Sequence, residues 1–181
     1  MTESVTMRDR YLGAMEFGEM LAMVTKHEAL WASVWRRAEV PDELLARFAA
    51  LGGAWHLLVL SEDWCGDAVN TVPVVARLAE LAPNADVRVL ARDANVDLMD
   101  AHLTGTSRSI PIVILLDEEF KEVAWWGPRP RALQAWVMGP GKALEPEAKY
   151  REVRAWYARD RGRSTLEELV ALAESVAPEP A

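Results

Sequence analysis

The sequence predicts an α/β fold, a mixed central sheet flanked by helices, with helical extensions at the N- and C-terminal ends. Two observations carry this. The hydrophobic period changes near residue 55, from helical recurrence at Met20, Met23, Val24, Leu30, Trp31 and Val34 to short apolar runs bounded by turns. From there the signals follow in the order β-α-β-α-β-β-α, which describes a sheet covered by helices. With 181 residues, 51% of them apolar, the chain suffices for one core of about 100–150 residues plus additions. The expected division is a single domain: an N-terminal helical extension over 1–53, a core over 54–139 and a C-terminal helical extension over 140–181.

Taken in order, Thr25 followed by Glu28 has the form of a capping box, which splits the first stretch into a helix ending near Val24 and another over 26–37. Pro41-Asp42-Glu43 opens a short helix that Gly52-Gly53 closes. Residues 55–60 form a short apolar run, as a buried strand would. Residues 66–81 are helical, with Val69, Val72, Leu78 and Leu81 available to the core and Pro73 as an internal kink. Strands over 87–91 and 110–116 flank a helix over 96–103. Asp117-Glu118-Glu119 turns the chain into a hairpin partner over 121–126, and 130–138 returns as helix. Alternation across that last strand places one of Trp125 and Trp126 in the core and the other on the surface. Ser164 and Glu167 form a second capping-box pattern ahead of a C-terminal helix, and Pro178 and Pro180 end the ordered chain.

A net charge of −8 argues against a nucleic-acid or anionic-membrane surface as the default partner. One segment runs the other way: 149–163 carries six basic residues against two acids. A solvated helix face is preferred there over a phosphate or RNA patch. Residues 1–10 carry four charges and no apolar stretch of signal-peptide type. No apolar run reaches the roughly 20 residues a bilayer span needs, and a single cysteine fits a reducing compartment. The expectation is a soluble cytoplasmic protein.

That cysteine, Cys65, lies in Ser61-Glu62-Asp63-Trp64-Cys65-Gly66-Asp67-Ala68. A C-x-x-C redox site needs a second thiol three residues on to release the mixed disulfide formed by the first. Here that place is Ala68, so any exchange mechanism must import its second sulfur.

Trp64-Cys65-Gly66 after the first core strand, Pro73 eight residues beyond the cysteine, Ile110-Pro111 opening the third strand and Gly127 sixteen residues further on together resemble the thioredoxin superfamily. The resemblance is to cytoplasmic bacterial thioredoxin-like members with Trp-Cys-Gly-Asp in place of Trp-Cys-Gly-Pro-Cys, and it covers roughly 55–138. Asp93 and Arg108 also look like family positions. The resemblance implies a thioredoxin-like fold and a cis bond before Pro111, with the Ile110 backbone beside Cys65 and able to pair with an extended peptide or a small thiol. Catalysis then falls to Cys65, and substrate binding to Trp64, Gly66, Asp67, Arg108, Ile110 and Pro111. Val59 stands where the superfamily places a buried carboxylate that assists the second thiol. Losing both is mutually consistent, because an unpartnered buried acid is costly.

A helix N-terminus favours thiolate by about 0.3–2 kcal/mol. Glu62, Asp63 and Asp67 oppose it, each by roughly 0.7 kcal/mol at about 6 Å in water-like surroundings. The two effects are of one size, so a weak nucleophile is expected unless Arg108 reaches the sulfur. The setting at a strand-to-helix turn favours an accessible thiol over a buried inert one. Asp67 is open to two roles, helix support and tuning of the thiol.

The sequence therefore predicts a monothiol thiol-disulfide exchange protein, with no metal or bound cofactor, a low-molecular-weight thiol as co-substrate, and a protein or small-molecule disulfide as partner. The alternative is a redox-inactive module that binds a peptide or protein in the Pro111 groove. Cluster binding of the monothiol-glutaredoxin kind ranks last, since the residues after the cysteine differ. Glu62 replaces the Thr or Ser that precedes a peroxidatic thiol. His27, His56 and His102 lack metal-ligand spacing, and His27 reads as an edge-of-core residue. The Asp93-Ala94-Asn95-Val96-Asp97 run imitates the start of a calcium loop but has Leu98 and Thr104 where Gly and Glu are required.

Overall fold

The computed structural model describes residues 5–179. Pro180 and the first four residues, on which part of the reading of the termini falls, lie outside them. Among the described residues five strands form one mixed sheet in the order β1-β3-β2-β4-β5. They are β1 (Met15–Glu16), β2 (Trp55–Ser61), β3 (Ala85–Ala91), β4 (Ile112–Leu116) and β5 (Glu122–Trp126). β2 and β3 run parallel, joined by the helix α5 (Gly66–Leu81), while β1–β3, β2–β4 and β4–β5 are antiparallel. Every residue of β4 is buried, as a strand covered on two faces requires. In β5, Trp126 is buried and Trp125 exposed, as alternation predicts.

The remaining helices are α1 (Met7–Gly13), α2 (Phe17–Met23), α3 (Glu28–Arg37), α4 (Asp42–Ala49), α6 (Val96–Asp100), α7 (Arg131–Met138), α8 (Pro146–Asp160) and α9 (Arg163–Val176). The main core extends well beyond 54–139. Trp31, Leu44 and Phe48 enter it from α3 and α4, and Leu166, Leu169, Val170 and Ala173 from α9. A second, smaller cluster is made by Leu133, Val137 and Tyr157, with Trp136, Val153 and Trp156 packed against it, so α7 and α8 share a core of their own.

Neither expected capping box forms. Thr25 gives its backbone N–H and its hydroxyl to Asp63 instead, and α3 starts from His27 in the left-handed region, φ 55°. His27 is exposed, not at the core edge. Gly162, φ 79°, precedes α9, and the Ser164 hydroxyl donates back to Asp160. Among the described residues capping boxes form instead at Thr6 with Asp9 and at Glu16 with Glu19. The helix expected over 96–103 ends at Asp100, and His102 just beyond it is buried between the Leu98 carbonyl and Glu122.

Candidate functional site at Cys65

Cys65 is the N-cap of α5. Its φ/ψ of −81°/115° are extended, and its sulfur accepts from the Ala68 N–H at 3.5 Å, the place a Ser or Asp oxygen takes in an ordinary cap. The thiol in turn donates to the Ile110 carbonyl at 3.4 Å. The Ile110–Pro111 bond is cis, and so is Gly127–Pro128, which sequence reading did not single out. Gly127, φ 136°, lies so close over the Pro111 carbonyl that an added Cβ would come within 2.2 Å of it, so only glycine fits there. Val59 and Ala68 are both fully buried. The two positions at which the resemblance places a carboxylate and a second thiol are therefore apolar and packed.

The thiol is less accessible than its strand-to-helix position suggests: Cys65 is 8% exposed. Burial pushes its pKa up, and the charge of Asp67 adds to the rise. The N–H groups of Ala68 and Asp67 and the Arg129 guanidinium pull the other way without overcoming it. Arg108 does not reach the sulfur. Its guanidinium is bidentate on Asp100, at 2.7 and 2.9 Å, on the surface.

The three acids around the cysteine are each engaged. Glu62 accepts from the Asp93 N–H at 2.9 Å. Asp63 accepts from the N–H groups of Thr25 and Lys26, at 2.9 and 3.1 Å, which hold its carboxyl below the usual range, and its carbonyl accepts from the buried Trp31 indole at 3.0 Å. Asp67 meets Arg129 through both oxygens, at 3.0 and 2.8 Å, and its Oδ1 also accepts from the Tyr157 hydroxyl at 2.7 Å. The N-terminal extension thus clamps the residue two before the cysteine, and α8 clamps the residue two after it. Of the three acids, Asp67 is the one whose charge raises the pKa of the thiol among the main causes.

Trp64 is 45% exposed and carries the Arg92 guanidinium 4.9 Å from its ring centroid. Arg92 also donates to the Arg108 carbonyl at 3.0 Å, which ties the loop before Pro111 to the surface beside Trp64. Trp64, Cys65, Gly66, Asp67, Ile110 and Pro111 are brought to one end of the sheet, while the Arg108 side chain turns away. Arg92, Arg129 and Tyr157 were missed as site residues. No local pattern marks them, since Arg129 and Tyr157 are 62 and 90 positions from Asp67. Among the described residues no group of three or more His, Cys, Asp or Glu is placed to hold a metal ion, and no helix is long and apolar enough to cross a membrane.

A parallel β2-α5-β3 unit, an antiparallel β4-β5 hairpin, a cysteine capping α5 and a cis-proline facing it define a thioredoxin-like protein. A family model described as Thioredoxin matches residues 14–151, and the chain belongs to that family. No curated protein matches the sequence. Two solved structures are similar over 94% of this chain and 98% of their own. One is the 1.5 Å crystal structure of a protein of unknown function, PA1234, from Pseudomonas aeruginosa, with TM-score 0.74 and 22% identity. The other is the crystal structure of an HIV 4E10 epitope-scaffold, with TM-score 0.75 and 18% identity. At these identities the likeness is one of fold.

Proposed function

We propose that the protein carries out thiol-disulfide exchange as a monothiol enzyme. The Cys65 thiolate attacks a disulfide sulfur, forms a mixed disulfide and expels one thiolate, and an external low-molecular-weight thiol then attacks the mixed disulfide and regenerates Cys65. The observation that carries this reading is the cysteine at the N-cap of α5, with its sulfur 3.4 Å from the Ile110 carbonyl, in a chain of the thioredoxin family that holds no second thiol. In place of an internal resolving thiol stands the buried Ala68. Trp64, Gly66, Asp67, Ile110 and Pro111 frame the approach to the sulfur, and the exchange partner is a protein or small-molecule disulfide of the cytoplasm. The test is turnover of a protein disulfide with a thioredoxin reductase system, with and without glutathione. Turnover only when glutathione is supplied is expected. Equal turnover without it, or none under either condition, rejects the reading.

A specific observation favours a second reading, a redox-inactive binding module. The thiol is buried, its pKa is raised, and it donates its proton to the Ile110 carbonyl. A folded protein whose Cys65 resists both alkylation and oxidised glutathione would belong to that class.

A further inference from the structure

We infer that Arg129 and Tyr157 are positioning residues for Cys65: they hold and neutralise the Asp67 carboxylate, so the docking of the α7–α8 unit onto α5 sets how readily the thiol ionises. The inference rests on the reading that Cys65 is the reacting group.

The geometry is that of a built site. Asp67 lies in the first turn of α5 with its side chain 12% exposed, and Arg129 is 22% exposed. The carboxylate takes two bonds from one guanidinium, a charge-assisted arrangement with fixed orientation. A third bond comes from the phenol of Tyr157, a residue 4% exposed whose ionisation is pushed far up by burial and by Asp67. The guanidinium is itself anchored, because its remaining NH1 donates to Gln134 of α7 at 2.9 Å. Gln134 and Tyr157 belong to the two helices that share the smaller core, so the cation and the phenol arrive at Asp67 on one unit.

The groups facing the sulfur can be named from each side. From α5 come the Asp67 carboxylate and the N–H groups of Asp67 and Ala68. The 127–130 segment brings Arg129, α8 brings Tyr157, and the Pro111 loop brings the Ile110 carbonyl. Only Asp67 and Arg129 are charged, with opposite effects on the thiolate. Without Arg129, a half-buried carboxylate two residues from the sulfur is uncompensated and opposes the thiolate. Without the Asp67 charge, the guanidinium is left alone at the helix N-terminus and favours it. A pair that served only to hold the fold together would behave otherwise, since breaking it from either side loosens the same contact.

The pH profile of iodoacetamide alkylation of Cys65, measured on folded protein, separates these cases. Asp67→Asn is expected to move the midpoint to lower pH and to speed alkylation about three- to tenfold near neutral pH. Arg129→Gln is expected to move it to higher pH with a slowing of about the same factor. Tyr157→Phe moves it in the same direction as Arg129→Gln by less, and Arg129→Lys, which keeps the charge, restores the wild-type profile. Midpoints that stay put, or that move the same way in Asp67→Asn and Arg129→Gln, overturn the inference. If Arg129→Gln does not fold, Tyr157→Phe and Asp67→Asn decide together: a raised midpoint in the first with a lowered one in the second supports the inference, and any other pair refutes it. Exposing wild-type protein to oxidised glutathione keeps the two ideas apart. Absence of a mixed disulfide sinks the exchange reading whatever the midpoints do, and a mixed disulfide with immobile midpoints sinks only this one.

Discussion

At Cys65 a sulfur does the work of a helix cap, and the same N–H group that it caps opposes the rise in pKa that burial imposes. The missing second thiol is legible in the sequence because the C-x-x-C spacing is local, three residues within one helical turn. What the neighbouring acids do is not, since each is engaged by a partner far along the chain. Glu62 is held by the Asp93 N–H and Asp63 by the Thr25 N–H, partners 31 and 38 positions away that local spacing does not reveal. Restoring the local pattern is a direct test of the site. Ala68→Cys places a second sulfur one turn along α5 from Cys65, at a spacing that a disulfide can bridge. Mild oxidation is expected to remove both alkylatable thiols at once and to give the mass of an intramolecular disulfide. Two free thiols surviving oxidation would mean that the start of α5 cannot adopt dithiol geometry. With Val59 where the resemblance places a carboxylate, the new thiol lacks that proton acceptor, so reduction through the variant is expected to stay slow.

Elements with a long apolar signature are readable, and those without one are not. Residues 66–81 are legible as a helix from their apolar spacing, and Val69, Val72 and Leu78 are buried as expected, whereas Leu81, at the last position of the helix, is 48% exposed instead of facing the core. β1 has only two residues and no pattern to offer, yet it closes one edge of the sheet beside β3. The capping boxes fail for a related reason: Thr25 and Ser164 find acceptors in Asp63 and Asp160, which only the folded chain brings to them. His102 illustrates a link between elements that sequence spacing could not supply. Its Nδ1 and Nε2 each face an acceptor at 2.7 Å, the Leu98 carbonyl of α6 and Glu122 at the start of β5, an arrangement in which both nitrogens donate only when the ring is protonated. Burial pushes its pKa down, but the hydrogen bonds to Glu122 and Leu98 and the charge of Glu122 raise it on balance. A folded-state pKa above the unfolded value contributes stability that is fully present below the ordinary histidine range and is lost as pH rises through the folded pKa. His102→Gln is therefore expected to cost about 1.5–3 kcal/mol in denaturant titrations at about pH 5.5, and distinctly less at about pH 8.5. An equal cost at both values would show that His102 acts by packing alone.

For the whole molecule, chain order and core membership part company. The last helix, α9, sends Leu166, Leu169, Val170 and Ala173 into the main core, whereas α8, which precedes it, shares only the smaller cluster with α7 and meets α5 through the Asp67 network. Sequence pattern located both helices' stretch of chain but could not rank them, because each carries apolar residues and only the fold decides which cluster receives them. Local opening follows the density of buried apolar contacts, so a small satellite core opens at lower free energy than the main one. Native-state hydrogen exchange is expected to show α7 and α8 opening as one unit, below the free energy at which α9, β2 and β4 open together. Asp67→Asn removes the charge that ties this unit to α5, and exchange in α8 should accelerate while β2 and β4 stay unchanged. Leu169→Ala is expected to lower global stability by about 2–5 kcal/mol, as for a fully buried leucine, and to speed exchange in all of these elements. Leu133→Ala should speed α7 and α8 most. If α8 is instead protected to the same free energy as α9, and responds to Asp67→Asn no more than β4 does, the two clusters open as a single core, and the polar network at Asp67 is one contact among many instead of the joint between two units.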